Sequence, residues 1–210
     1  MPRPRQAPAP SEAPDLRHRI LDTARALLDE HGTAGLSLRE VARRAGVTHQ
    51  APYHHFADRE SILAELVMQG FEELARRLAR AHDGGGGPHA TMRASGLAYV
   101  GFALDQPGVF RIMFRPDVCD PARYPHVLEA GERAYGELLR LVQIVHGAAG
   151  HEGLAAMHWA QVHGLAVLLL DGPLGLRLPG RTERDAFLQA AAAQFATTVL
   201  GPDPDQPSAR

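Results

Sequence analysis

Apolar residues recur at helical spacing along most of the chain, and no stretch alternates strictly between apolar and polar residues as a half-buried strand does. The first apolar face predicts a helix over residues 15–31 that ends at Gly32. Its positions are Leu16, Ile20, Ala24, Leu27 and Leu28. We therefore expect a fold built only of helices.

Residues 37–56 form the most distinctive stretch of the chain. Four apolar residues predict a short second helix: Leu38, Val41, Ala42 and Ala45. Gly46 ends it, because glycine readily adopts the left-handed backbone of a sharp turn. We expect Thr48 to cap a third helix, in which Pro52 removes about one backbone hydrogen bond near the start, and Phe56 to close a small core. Two helices joined in this way are typical of a helix-turn-helix that enters a DNA major groove.

A long fourth helix is predicted after Asp58, which we expect to cap it. Its apolar residues continue for about six turns, as far as His82 and Asp83. The glycines at 84–87 and Pro88 then predict a flexible link. Because this helix starts beside the helix-turn-helix and continues into the next region, we expect it to connect the two mechanically.

Five further helices are predicted between the glycine and proline turns of the second half of the chain. They span residues 90–105, 107–114, 124–146, 151–170 and 182–200. The predicted fold is all-α, with about nine helices. We divide it into a disordered N-terminal tail at 1–14, a DNA-binding domain at 15–60, an effector-binding and dimerisation domain at 61–200 and a disordered C-terminal tail at 201–210.

The composition is that of an ordinary soluble globule, with 45% apolar residues and a net charge of −2, so affinity for DNA depends on the motif rather than on bulk charge. The single cysteine, Cys119, excludes an internal disulfide framework, and Asp117 and Asp120 disfavour its thiolate, so we expect an inert thiol rather than an oxidant sensor. Residues 1–14 lack the apolar core of a signal peptide, and the apolar run at 165–170 is too short to span a membrane. A cytoplasmic protein is expected.

The twelve histidines do not predict a metal site. His146 and His151 are five residues apart, as are His158 and His163, and this spacing turns two side chains away from each other on a helix. Chelating pairs lie three or four residues apart. No HExxH, CxxC, GxSxG, P-loop or GxGxxG motif is present, so we expect no metal, no cofactor and no catalytic residue.

The stretch that ends at Glu60 resembles the TetR family of bacterial repressors. The residues that carry the resemblance are Ser37, Val41-Ala42, Ala45-Gly46-Val47-Thr48, Tyr53-His54-His55-Phe56 and Arg59-Glu60. Two features depart from the family pattern, since Arg59 replaces the usual lysine and Pro52 lies in the recognition helix. The resemblance covers the first third of the chain. It implies a homeodomain-like three-helix unit, a homodimer on a pseudo-palindromic double-stranded DNA operator, and repression relieved by a small, mostly apolar effector.

The resemblance also implies which side chains contact DNA. His49 and Gln50 are the expected base readers, with Arg39 on the preceding helix as a further candidate. The expected phosphate anchors are Thr48, Tyr53, His55 and Arg59. His54 is included in the interface without an assigned role. For His55 the alternative is packing beneath Phe56.

Trp159, His163 and Gly164 resemble the Trp-His-Gly signature of one TetR C-terminal subgroup, and the stretch at 102–114 is similar to the same subgroup. Our candidates for an effector pocket are Phe102, Phe110, Met113, Phe114, Tyr135, Trp159 and His163. The aromatic cluster fits an ordinary core as well. His163 also fits a buried histidine bound to a backbone or hydroxyl group, with Gly164 allowing a close helix crossing.

The last two predicted helices indicate the protein partner. Residues 165–170 are apolar nearly all round, and the alanines at 190–193 with Phe187 and Phe195 give a helix that another can approach closely, so we expect a second copy to cover both. The competing hypothesis is a helical small-molecule-binding protein without operator binding. A catalytic use of His163 with a nearby acid ranks third.

Overall fold

The computed structural model describes residues 16–120 and 122–204. These residues form nine α-helices and no strand, which confirms the all-α class. The helices are α1 (Leu16–His31), α2 (Leu38–Ala45), α3 (Arg59–Asp83), α4 (Gly87–Asp105), α5 (Pro107–Met113), α6 (Pro125–His146), α7 (Glu152–Leu170), α8 (Pro173–Arg177) and α9 (Arg181–Leu200). Short 3-10 helices occur at Thr33–Gly35, Ala51–His54 and Gly147–Ala149. The tail predicted at 1–14 lies outside the described residues, as does 205–210 of the C-terminal tail.

The chain divides into two compact units, Met1–Ile62 and Leu63–Arg210, and the division falls in the first turn of α3. That helix was predicted to connect two regions. Asp58 caps it as expected, because its Oδ1 atom accepts a 2.7 Å hydrogen bond from the backbone N–H of Ser61. The remaining turns of α3 belong to the C-terminal unit.

In the N-terminal unit, α1 packs on α2 around a small apolar core. The side chains that are at most 2% exposed are Ile20, Leu21, Ala24, Leu27, Leu28, Leu36, Val41, Ala42 and Ile62. They include four of the five apolar positions that predicted α1. Burial of one such Leu or Ile side chain stabilises the fold by about 1.5–3 kcal/mol, so this cluster holds the unit together.

Both ends of α2 have specific caps. The Ser37 hydroxyl accepts a 3.1 Å hydrogen bond from the N–H of Glu40. At the other end Gly46 has φ 67°, in the left-handed region, and Val47 N–H donates to the carbonyl of Ala42 at 3.0 Å. The chain therefore turns sharply at Gly46, as predicted.

In the C-terminal unit, α4 is the central helix and packs against α6, α7 and α9. Because neighbours cover it on several sides, its buried residues do not form a single stripe: they are Thr91, Met92, Ser95, Tyr99, Val100, Phe102 and Ala103. Helix α5 approaches α3 at Gly70, where an added Cβ would come within 2.7 Å of Val109 and Met113. The glycine thus permits this close approach.

Two turns differ from the prediction. Helix α4 begins at Gly87 with Pro88 in its first turn, so the link is shorter than expected, because proline suits the first turn of a helix. Helix α8 was not predicted, since the residues before Pro173 were taken as a break; Pro173 instead starts the helix.

The chain remains attached to α4 beyond the predicted start of the C-terminal tail. His89 Nε2 lies 2.9 Å from the carbonyl oxygen of Gly201, and Arg93 pairs with Asp203 at 2.9 Å. The Asp203 side chain is only 11% exposed. Residues 201–203 are therefore packed against the C-terminal unit.

Helix α7 is long and apolar enough to cross a membrane, judged by length and composition alone. An 18-residue window has a mean hydropathy of 1.4, and 22% of it is buried. The apolar run at 165–170 did not indicate this, because the longer window tolerates His158 and His163 among its apolar residues. Met157, Val167 and Leu168 on this helix are at least 40% exposed.

Candidate DNA-binding surface and effector cavity

The segment after Gly46 forms a 3-10 helix, Ala51–His54, where the sequence predicted an α-helix capped by Thr48. That prediction is wrong because Pro52 has no N–H and cannot donate to the carbonyl of Thr48, four residues earlier. The N–H of Ala51 donates to this carbonyl instead, at 3.0 Å, and Tyr53 N–H donates to Gln50 at 3.1 Å. These i to i+3 bonds are the 3-10 pattern, so Pro52 changes the segment more than expected.

The end of this segment is fixed to the core of the N-terminal unit. The N–H groups of His55 and Phe56 donate to the carbonyl of Pro52 at 3.0 and 2.9 Å. Phe56 is 4% exposed, as predicted, and the guanidinium of Arg17 lies 5.4 Å from the centre of its ring. Pro52 is also buried. The short segment therefore has a defined position, although most of its backbone hydrogen bonds are of the 3-10 type.

All the predicted DNA-contacting side chains are exposed: Arg39, Thr48, His49, Gln50, Tyr53, His54, His55 and Arg59. Tyr53 is 47% exposed, which is unusual for a large aromatic residue, and its ring centre lies 5.8 Å from that of His49. The exposure of His55 does not support the alternative that it packs beneath Phe56. The segment 48–55 thus presents polar and aromatic groups to solvent together.

Arg59 has a structural role that the sequence did not indicate. Its Nε donates to the carbonyl of Leu36 at 2.9 Å, and its Nη2 donates to the carbonyl of Thr33. These bonds attach the start of α3 to the loop before α2. Within the described residues, Nη1 of Arg59 makes no hydrogen bond and is available for a phosphate oxygen.

Two arginines of α2, Arg43 and Arg44, are paired with carboxylates. Arg43 donates to Glu40 at 2.8 and 2.5 Å, and Arg44 donates to Glu30. These hydrogen bonds hold the pKa of Glu30 and of Glu40 below the usual value. The pairs therefore reduce the net positive charge of this face.

A cavity of about 270 Å³ lies in the C-terminal unit, between α3, α4, α6, α7 and α9. Most of its walls are apolar. The lining residues are Phe71, Leu74, Leu78, Met92, Ser95, Gly96, Tyr99, Phe114, Gly131, Glu132, Ala134, Tyr135, Leu138, Leu141, His158, Trp159, Val162 and Phe195. Apolar walls with a few polar groups are typical of a small-molecule site.

Three of the predicted pocket residues line this cavity: Phe114, Tyr135 and Trp159. Phe102 and Phe110 do not line it, because they are 0% and 3% exposed and pack in the core with ring centres 6.4 Å apart. The core alternative describes them correctly. Met113 lines a neighbouring, more open cavity.

His163 lies behind the cavity wall rather than in it. Its Nδ1 atom is 2.9 Å from the hydroxyl of Tyr99, and its ring centre is 4.9 Å from that of Phe114. Burial lowers the pKa of His163. His163 is half-buried and bound to a hydroxyl, which is closer to the structural alternative than to a direct ligand contact. Among the described residues, a Cβ on Gly164 would meet nothing within 4 Å, so the close helix crossing predicted there is not found in that part of the chain.

Sequence reasoning missed the polar groups of the cavity. His82 Nδ1 lies 2.8 Å from Glu137 Oε2, and His82 Nε2 lies 3.2 Å from the Ser95 hydroxyl, which lines the cavity. His82 and Glu137 are on different helices and far apart in sequence, so no local spacing could indicate them. The one local signal was the spacing of Ser95 and Tyr99, which are four residues apart and therefore lie on the same face of α4.

A second histidine contact also connects different helices. His146 Nε2 and His158 Nε2 are 2.9 Å apart, with nearly parallel rings. The residues that the structure describes contain no group of three or more His, Cys, Asp or Glu side chains that could hold a metal ion. Cys119 is buried, at 4% exposure, so its thiol is poorly placed to sense an oxidant.

Two protein-family models match the chain. The family described as bacterial regulatory proteins, tetR family, matches residues 20–66, and the tetracyclin repressor-like C-terminal domain matches residues 92–195. The HTH-type transcriptional regulator Rv1816 of Mycobacterium tuberculosis is 37% identical over 65 residues, which are 31% of this chain and 28% of that protein. The chain therefore aligns with less than a third of this curated relative.

Solved structures match over almost the whole chain. A protein of unknown function from Rhodococcus sp. RHA1 is 31% identical, with a TM-score of 0.74 over 92% of this chain and 99% of that one. PfmR from Thermus thermophilus, a TetR family transcriptional regulator, is 20% identical, with a TM-score of 0.64 over 87% of this chain and 97% of that one. At 20% identity, the similarity to PfmR supports the fold alone. With both family models matched in order along it, the chain belongs to the TetR family of DNA-binding transcriptional regulators.

Proposed function

We propose that this regulator is a cytoplasmic repressor that binds a pseudo-palindromic operator as a homodimer and is released by a small, mostly apolar effector. In this proposal residues 15–60 read DNA, and residues 61–200 bind the effector and pair the two copies. The observation that carries it is the exposed segment 48–55, which the N-terminal core holds in place and which matches the positions that the family uses on DNA.

Within the segment we assign different roles to different side chains. His49 and Gln50 lie in the turn before the 3-10 helix and are the proposed base readers, with Arg39 contributing from α2. Thr48, Tyr53, His55 and Arg59 are the proposed phosphate anchors, and His54 belongs to the same surface. For Arg59 the role rests on Nη1, since its other donors bind the backbone.

A second copy is the proposed cover for α7 and α9. The α7 stripe, which we define as Met157, Gln161, Gly164 and Leu168, follows one helix face and is exposed or half-buried throughout. A similar stripe, which we call the α9 stripe, consists of Ala186, Ala190, Ala193 and Thr197. Small residues allow two helices to approach closely, and an exposed apolar stripe is typical of a protein interface. A membrane explains α7 less well, because its other face packs on α4 and α6.

The proposed release acts through α3. Phe71, Leu74 and Leu78 of this helix line the cavity, and the same helix begins at Arg59. A ligand that favours one position of α3 over another therefore changes the placement of Arg59 and of the loop that it holds. The ligand shifts the balance only by its difference in affinity for the two positions.

We also assign the C-terminal unit to the Trp-His-Gly subgroup, on the basis of Trp159, His163 and Gly164. The second candidate function is a helical small-molecule-binding protein without operator binding, which the cavity alone favours. Selection of bound duplexes from a random pool separates the two. Enrichment of a two-fold symmetric sequence supports the repressor, and a pool that stays unselected contradicts it.

A further inference from the structure

A hydrogen-bond chain runs from the Glu137 carboxylate through His82 to Ser95 at the cavity. Glu137 Oε2 lies 2.8 Å from His82 Nδ1 and 3.5 Å from Arg140 Nη1. The carboxylate that pairs with Arg140 accepts hydrogen bonds, so the hydrogen lies on Nδ1 of His82. The His82 side chain is fully buried, and burial lowers its pKa, so the ring is neutral near pH 7.

The neutral ring leaves a lone pair on Nε2 of His82. The Ser95 hydroxyl, 3.2 Å away, therefore donates its hydrogen to this atom. Ser95 also lines the cavity. Having given its one hydrogen to His82, its oxygen presents only lone pairs to a ligand.

The Tyr99 hydroxyl, one turn later on α4, is also left as a hydrogen-bond acceptor, like that of Ser95. The indole Nε1 of Trp159 can only donate, and it donates to the Tyr99 oxygen at 3.1 Å. Burial raises the pKa of Tyr99 and lowers that of His163, so both groups are neutral. The phenol hydrogen is satisfied by His163 Nδ1 at 2.9 Å, whereas a hydrogen aimed into the apolar cavity would have no acceptor. Tyr99 thus also offers a lone pair.

The charges around the cavity favour the same ligands. Among the described lining residues, Glu132 is the charged one, and it is exposed at the cavity edge. No arginine lines the cavity in the part of the chain that the structure describes. An anionic ligand would lose its hydration without gaining a positively charged partner and would lie near the Glu132 carboxylate. Tyr135 and His158 can either donate or accept, so they do not set this selectivity.

We propose that the cavity selects neutral apolar molecules that carry a hydroxyl group, such as phenols and alcohols, and discriminates against carboxylates of the same shape. This inference rests on the proposed role of the cavity as the effector site. An engineered cavity of about 150 Å³ holds benzene, so 270 Å³ suits a ligand of roughly 10 to 12 non-hydrogen atoms. The ligand hydroxyl donates to Ser95 or Tyr99, whose side chains lie on the same face of α4.

Calorimetric titration of the full chain with 2-naphthol, 2-methylnaphthalene and 2-naphthoate tests this selectivity, because the probes share one apolar frame. We expect 2-naphthol to bind about tenfold more tightly than 2-methylnaphthalene, and 2-naphthoate to bind more weakly than both. Naphthoate binding as tightly as naphthol would overturn the inference, as would equal binding of naphthol and methylnaphthalene or no binding of any probe.

Variants locate the effect. Ser95→Ala should reduce naphthol binding about tenfold and leave methylnaphthalene binding unchanged, with circular dichroism confirming the fold. Thr91→Val is the matched control, because Thr91 is buried one turn earlier on α4 and does not line the cavity. Glu132→Gln should strengthen naphthoate binding about two- to threefold. If Ser95→Ala and Thr91→Val weaken naphthol equally, the assignment of Ser95 fails.

The same probes distinguish this inference from the proposed function. Binding in the predicted order without any effect on operator affinity supports the selectivity of the cavity and contradicts its role as the effector site. Release of the operator by naphthoate but not by naphthol supports the effector site and overturns the selectivity.

Discussion

Arg59 Nε donates a 2.9 Å hydrogen bond to the carbonyl of Leu36, so the first residue of α3 braces the loop that precedes α2. The guanidinium reaches a second carbonyl, that of Thr33, with Nη2. A lysine at this position, as the family usually has, offers a single ammonium group and lacks the planar fork that serves both carbonyls. The departure from the family pattern at Arg59 therefore has a structural consequence.

Arg59→Lys should lower the free energy of unfolding by about 1 kcal/mol, because it retains the charge and loses the fork. Thermal and urea unfolding measure this change. Operator affinity should fall much less for Arg59→Lys than for Arg59→Met, since lysine still meets a phosphate. Equal affinity for Lys and Met variants would show that Arg59 does not contact DNA.

Pro52→Ala should restore the α-helical hydrogen bond to the carbonyl of Thr48 and convert the 3-10 segment towards an α-helix. Hydrogen exchange should then show a protected amide at residue 52, and duplex selection should yield an altered consensus. Pro125→Ala is the control, because Pro125 is the first residue of α6, where the missing N–H costs no helical bond. An unchanged consensus for Pro52→Ala would show that the 3-10 conformation of this segment does not affect which duplex the protein selects.

Gln50→Ala should relax sequence preference, whereas Tyr53→Phe should weaken binding to all duplexes alike. Loss of one base contact costs about 1–3 kcal/mol on the operator and little on random DNA. Fluorescence anisotropy with operator and scrambled duplexes separates the two effects. Parallel losses on both duplexes for Gln50→Ala would rule out base reading by this residue.

The sequence predicted those parts of the N-terminal unit that depend on neighbours in the chain. Gly46, Asp58 and the apolar face of α1 are local signals, and each has the predicted conformation. The helix after Thr48 was predicted wrongly because Pro52 was expected to remove only about one hydrogen bond near the helix start, whereas the segment forms a 3-10 helix instead.

The cavity was harder to predict because its lining depends on side-chain direction. Phe110 and Phe114 lie on neighbouring turns, yet only Phe114 lines the cavity, since Phe110 packs against Phe102 of α4 and His163 of α7. His82 and Glu137 meet only after α3 and α6 have packed. Neither relation has a signal in the spacing of residues along the chain.

Leu168→Arg should prevent dimerisation, because it places a charge on the apolar stripe of α7 that the second copy is proposed to cover. Sedimentation velocity should show a monomer, and operator affinity should fall by at least about a hundredfold as half the contacts are lost. Leu176→Arg is the matched control: Leu176 is 87% exposed on α8, outside both stripes, and should leave the dimer intact. A dimeric Leu168→Arg protein would place the interface elsewhere.

The fold should become less stable on mild acidification. Burial lowers the pKa of His82, His158 and His163 below the ordinary value of 6.5, with His146 also acting on His158. Between pH 6.5 and the lowered pKa values, the unfolded chain binds protons that the folded chain does not. The free energy of unfolding therefore decreases as the pH is lowered through this range. Each group contributes up to about 1.4 kcal/mol per pH unit. Thermal unfolding from pH 7.5 to 5.5 measures this.

His158→Phe removes one of these groups and retains an aromatic ring beside Phe195, so its melting temperature should depend less steeply on pH than that of the parent protein. An identical slope in the two proteins would show that His158 does not titrate differently in the folded and unfolded states.

Quantitative binding to a selected duplex tests the central claim most directly. The account predicts two chains per duplex and an affinity at least about a thousandfold higher than for a scrambled duplex at the same salt concentration. Binding of one chain per duplex, or equal affinity for the selected and scrambled duplexes, would contradict an operator-specific dimer.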